Sequence, residues 1–104
     1  MKKILLMLVA LIATSFSAMA EDIYIVAGSE ELCGTVWDGT DHNNKMTDNG
    51  DGTYSKTFTN VAAMNGYQFK VAKNGEEWYG DEAGNNITFN VTTACDVTIT
   101  FNAT

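Results

Sequence analysis

Two neighbouring aromatic rings, Trp78 and Tyr79, stand in a segment otherwise built of amides, carboxylates and glycines: residues 74–86, NGEEWYGDEAGNN. Asn74, Glu76, Glu77, Asp81, Asn85 and Asn86 flank them, and Gly75, Gly80 and Gly84 let the backbone turn sharply. That combination suits a sugar. A pyranose ring offers an apolar C–H side to a flat aromatic ring, and its hydroxyls bond to planar polar side chains. A segment so rich in turn formers is expected at the surface. Two roles fit Trp78, a ligand platform or a cap over one end of a core, and the sequence leaves both open. Trp37, in GTVWDGTDHNN, is the second ligand candidate, followed by Asp38, Asp41, His42, Asn43 and Asn44. Its other role is packing against a sheet.

Other chemistries are less well served. His42 is the only histidine, whereas a zinc site wants several His or Cys ligands at set spacings. Nucleophilic catalysis needs a nucleophile, a base and an orienting group, and no spacing joins His42 to Cys33 or Cys95 in that way. Glu76, Glu77, Asp81 and Glu82 crowd one loop and could in principle supply the carboxylate pair of a glycosidase. So small a chain has little room for the cleft around a scissile bond. Residues 47–58, TDNGDGTYSKTF, carry the oxygen-rich look of a calcium loop. With Gly52 as the loop glycine, however, the first acid falls on Thr47 and the closing carboxylate on Phe58, so the ligand set is incomplete. Asn49-Gly50 and Asp51-Gly52 read better as a turn entering a strand. No catalysis, cofactor or metal is expected.

The elements that position these residues are strands. Apolar residues recur with period two at Ile23, Ile25 and Ala27; at Tyr67, Phe69 and Val71; at Ile87, Phe89 and Val91; and at Val97, Ile99 and Phe101. Alternate side chains point to opposite faces of a strand, so each segment presents one apolar face to a core. Gly, Asn and Asp clusters separate them. The fold class expected is all-β, an antiparallel β-sandwich, with Tyr54, Tyr67, Phe69 and Phe89 in the core. Tyr24, opposite the Ile23 and Ile25 face, is expected at the surface. Lys56 breaks the alternation by sharing a face with Tyr54 and Phe58.

The order GDGTYSKTF, NGYQFKVAKNGEEWYGDEAGNNITF, CDVTITFN resembles the small immunoglobulin-like domains attached to bacterial pullulanases and amylases. Similar domains occur in starch-binding surface proteins of gut bacteria. The shared elements fall here at Asp51 to Tyr54, Tyr67 to Lys70, Asn74 to Trp78 and Val97 to Phe101, with an early segment echoed by Gly28, Ser29 and Trp37. The resemblance implies an immunoglobulin-like, carbohydrate-binding-module-type fold, a starch-like α-glucan ligand, and a loop tryptophan at Trp78. In such domains the early tryptophan, here Trp37, often packs against the sheet. Many domains of this kind are spacers. A structural or protein-interaction sandwich without a sugar ligand is therefore the alternative reading.

The chain opens MKKILLMLVALIATSFSAMAED: a basic start, a short apolar run, and small residues at Ala18 and Ala20. This reads as a signal peptide over residues 1–20, giving a secreted or periplasmic domain over residues 21–104 with no membrane attachment after cleavage. Residues 21–104 hold four basic and thirteen acidic residues, a net charge of −9. Such a surface repels nucleic acid and anionic lipid. The expected partner is a polysaccharide or oligosaccharide, and the expected state a monomer. Two cysteines, Cys33 and Cys95, remain. A disulfide between them would close a loop of about sixty residues and contribute roughly 4 kcal/mol. Two separate thiols, at least one buried, is the other possibility.

Overall fold

Among the described residues, seven strands form two antiparallel sheets, and the four alternating segments are four of those strands. A computed structural model describes residues 21–104. The signal-peptide reading falls on residues 1–20 and lies outside the described residues. The strands are β1 (Tyr24–Gly28), β2 (Thr47–Asp48), β3 (Thr53–Val61), β4 (Met64–Lys73), β5 (Glu77–Tyr79), β6 (Ile87–Val91) and β7 (Cys95–Asn102). One four-residue helix, α1 (Glu30–Cys33), and a 3-10 turn at His42–Asn44 lie between β1 and β2. The first sheet centres on β4, which pairs with β1 along one side. Phe69 pairs with both Gly28 and Ile87, and Val71 with both Val26 and Tyr79. β5 and β6 therefore share the opposite side of β4, one beside each half of that long strand. The second sheet runs β2-β3-β7. The expected all-β sandwich is the fold.

Tyr24, Val26, Tyr67, Phe69, Val71 and Val91 from the first sheet meet Phe58, Val61 and Ile99 from the second to form the core. Tyr67 is 1% exposed, and its hydroxyl donates to the Ala62 carbonyl at 2.7 Å, anchoring the β3–β4 connection. Each long strand carries one bulge. Asn60, at φ 52°, and Gly66, at φ 85°, are the extra residues in β3 and β4. In both cases a side chain on the paired strand accepts the freed N–H: Asp96 takes that of Asn60 and Asn90 that of Gly66, each at 2.9 Å. The bulges return Val61 and Tyr67 to the interior after a break in alternation.

Tyr24 corrects the sequence reading. Its ring is buried between the sheets, 4.4 Å from Tyr54 and 5.2 Å from Phe101. Both faces of β1 are covered: Tyr24 and Val26 turn to the core, while Ile25 turns outward beneath residues 39–42. A strand buried on both sides carries apolar residues at every position, so its alternation does not say which face is the core. Lys56 does face inward, half-buried, with its ammonium 5.6 Å from the Phe58 ring centre. Cys33 and Cys95 are both free thiols, Cys33 buried and Cys95 exposed, so the possible Cys33–Cys95 disulfide is not formed. Cys33 belongs to α1 and packs in the core, while Cys95 opens β7. Burial pushes the Cys33 thiol up to about 11, which keeps it protonated and unreactive at neutral pH.

Candidate ligand-binding face

Residues 47–58 are a hairpin turn, and its acids are occupied. The Asp48 carboxylate accepts the Gly50 N–H at 2.8 Å, and Asp51 accepts the Thr53 N–H at 3.1 Å. The Thr53 hydroxyl also donates to Asp51, and these bonds hold the Asp51 carboxyl below the usual carboxylate range. Among the described residues, no three His, Cys, Asp or Glu side chains come together in a way that would hold a metal.

The β4–β5 hairpin separates the two neighbouring aromatics. Trp78 pairs with Ala72, which pairs in turn with Ile25, so these three share the outer face of the first sheet. Tyr79 pairs with Val71 and turns the other way. Its ring lies 5.3 Å from Phe101 of the opposite sheet, and its hydroxyl donates to Glu77 at 2.7 Å. That bond and burial raise the Tyr79 phenol above its ordinary range. Tyr79 therefore closes the mouth of the sandwich. It cannot share a ligand with Trp78, because consecutive strand residues point to opposite faces.

The indole of Trp78 is 40% exposed and rests against the loop that carries Trp37. The contact is Gly39: a Cβ there would lie 3.0 and 3.1 Å from Cζ2 and Cη2 of Trp78, and 2.8 Å from the Ala72 Cβ. Trp37 is two residues away, half-buried, at φ 49° with its N–H donating to the Gly28 carbonyl at 2.9 Å. The Trp78 ring thus rests on the short loop that begins at Trp37, forty-one positions earlier in the chain. Asp38 fixes that loop by accepting both the N–H and the hydroxyl of Thr40, at 2.9 and 2.6 Å. On the other side of Gly39 and Thr40, a cavity of about 210 Å³ is floored by Ile23 and Ile25 and edged by His42 and Asn74.

The amides are not equally free. Asn74 and Gly75 are the central residues of the β4–β5 turn, closed by the Glu76 N–H on the Lys73 carbonyl at 3.0 Å, and both have positive φ, 55° and 71°. The Asn74 side chain accepts the Ile23 N–H at 2.9 Å and donates to Asp22 at 3.1 Å, so it ties the hairpin to the start of β1. Asn85 lies in a turn organised by Asp81, whose carboxylate accepts the Asn85 N–H at 2.8 Å and the Ala83 N–H at 2.9 Å. Asn86 donates to Gln68 at 3.0 Å. Gln68 lies on the same outer face as Ala72, two residues along each time, and so does Lys70. Of the sequence candidates, the fold sets Trp78 against Gly39 in the loop that carries Trp37, sends Tyr79 to the interior side and commits Asn74 to a turn. Gly39, the seat of the Trp78 ring, is the residue that sequence reasoning missed. A lone glycine in a turn carries no mark of a partner thirty-nine residues on.

A family model described as the pullulanase X25 domain matches residues 23–104. No curated protein matches the chain.

Proposed function

The chain belongs to the pullulanase X25 domain family, and from that premise we propose that it is a secreted or periplasmic, non-catalytic module that binds starch-like α-glucan. The observation that carries this reading is the Trp78 indole, 40% exposed on the outer face and seated against Gly39. Exposing a ring of this size to water forgoes burial that contributes about 1.5–3 kcal/mol for a large apolar side chain. A glycan lying on that face recovers part of it. Gln68, Lys70 and Asn86 on the same face supply donors and acceptors for hydroxyls. The family name points to pullulanases, which supports an α-glucan ligand and an accessory role.

Affinity electrophoresis through starch and glycogen tests the proposal. Migration of the protein should be retarded, and Trp78→Ala should weaken retention at least about tenfold, or 1.4 kcal/mol. Tyr79→Phe should leave it unchanged, because that ring faces the interior. Unretarded migration in every α-glucan removes the reading. Retention that survives Trp78→Ala moves the site elsewhere. The second reading, an interaction sandwich without a sugar, is favoured by the free edge of β7.

A further inference from the structure

The two long sides of the sandwich are finished differently. On the side of β1 and β2 the chain itself seals the edge. Lys45 bridges Ile25, the Met46 N–H donates to the Tyr24 carbonyl at 2.8 Å, and the chain passes straight on into β2 of the other sheet. Val36 bridges Gly28 at the far end of the same strand. On the side of β5, β6 and β7, nothing among the described residues pairs with the outer edge of β7. This strand is eight residues long and carries one charge, Asp96, with no proline. Natural edge strands are usually shortened, charged, bulged or covered. β2 and β5, with two and three residues, follow that rule; β7 does not.

Two further observations point the same way. Half-buried apolar side chains collect along this side: Ile87 and Phe89 from β6, Val97 and Phe101 from β7. Tyr79 stands 38% exposed beside them. The β7 strand is also nearly free of charge. Glu76, Glu77, Asp81 and Glu82 crowd β5 and the turns beside it, whereas β6 and β7 together hold the single acid Asp96. In a protein with net charge −9 over residues 21–104, repulsion between two copies is least along β7 itself.

We propose that the β7 edge is a self-association surface, on which two copies of this chain pair antiparallel about Ile99 and join their three-stranded sheets into one. The backbone phase permits this register. The Ala103 N–H donates inward to Gly52, so odd-numbered residues of β7 face β3, and Asp96, Thr98, Thr100 and Asn102 turn their backbone groups to the open side. Centred on Ile99, Thr98 meets Thr100 of the second copy as a hydrogen-bonded pair, and Asp96 meets Asn102. Threonine pairs across strands are favourable, and no like charges stand opposite each other. Val97 of one copy lies beside Phe101 of the other, and each covers the half-buried ring or methyls of its neighbour. This arrangement differs from the monomer expected from the sequence.

Sedimentation equilibrium over concentrations up to about 1 mM, the weak end of specific association, tests it. The protein should show a monomer–dimer equilibrium. Thr98 and Thr100 are exposed, so charged variants there keep the fold, checked by circular dichroism. Thr98→Glu with Thr100→Glu sets carboxylates against carboxylates and should weaken the dimer at least tenfold. Thr98→Lys with Thr100→Glu sets opposite charges across the same two pairs and should dimerise at least as well as the parent. A parent that stays monomeric throughout overturns the proposal. So does a double-glutamate variant that dimerises like the parent, or a lysine–glutamate variant as weak as the double glutamate. Trp78→Ala should not move the equilibrium, which keeps this test separate from that of glycan binding.

Discussion

At the residue scale the candidate site depends on a missing side chain as much as on a present one. Trp78 can lie against the 37–41 loop only because position 39 has no Cβ. In Gly39→Ala the new methyl meets the Ala72 Cβ at 2.8 Å and the indole at 3.0 Å. Ala72 is fully buried and cannot withdraw, so the loop and the ring must separate. Overpacking of this kind costs about 1–3 kcal/mol. The expected result is a lower unfolding midpoint together with a shift in tryptophan emission, and α-glucan retention reduced towards that of Trp78→Ala. A variant that loses stability while keeping full retention would show that the seat of the ring does not matter to binding. Tyr79 shows the opposite lesson. It is as exposed as Trp78 and adjacent to it, yet its ring meets Phe101 across the interior.

At the element scale the β4–β5 hairpin sets which face each ring takes, and its turn fixes the register. Asn74 holds φ 55° and also accepts the Ile23 N–H. Asn74→Ala loses the left-handed preference and the bond together, a cost of about 2 kcal/mol and a fall in unfolding midpoint on the order of 10 °C for a domain this size. Asn74→Gly keeps the backbone freedom and loses only the bond, so it should fall by less than half as much. Thermal melts of the two variants separate turn from tie. Equal losses would mean that the φ angle carries no weight. The strands were legible in the sequence because period two survives wherever one face is core, as in Tyr67-Phe69-Val71 and Val97-Ile99-Phe101. The hairpin parity that parts Trp78 from Tyr79 was legible in principle, since both lie in one strand. The assignment of Tyr24 was not, because β1 is covered on both faces and its pattern has no polar side. Nor was the use of Asn74: an amide in a turn looks the same in sequence whether it meets a ligand or its own backbone.

At the scale of the whole molecule the sandwich has a sealed side and an open one, and this difference should appear in its fluctuations. Opening is easiest where few backbone groups are tied and apolar cover is thin. The sealed side has the 45–48 chain stitched to β1 and β3, α1 against the core, and the Asn44 side chain donating to the Cys33 carbonyl at 2.9 Å. The open side has β7 bonded along one edge and β6 bonded only to β4. Hydrogen exchange on the monomeric double-glutamate variant should therefore find the slowest amides in β1 and β4. The fastest strand amides should be at the even positions of β7, whose N–H groups point outward. In the parent protein those same amides, Thr98 and Thr100 first, should slow as concentration rises, while β1 stays unchanged. Protection that rises equally across both sheets would instead reflect a general gain in stability. Protection at Thr98 that is already high in dilute solution would mean that the edge is covered within a single chain. The pattern at two amides thus decides whether the asymmetry of the fold is a surface for association or only a thin wall of its core.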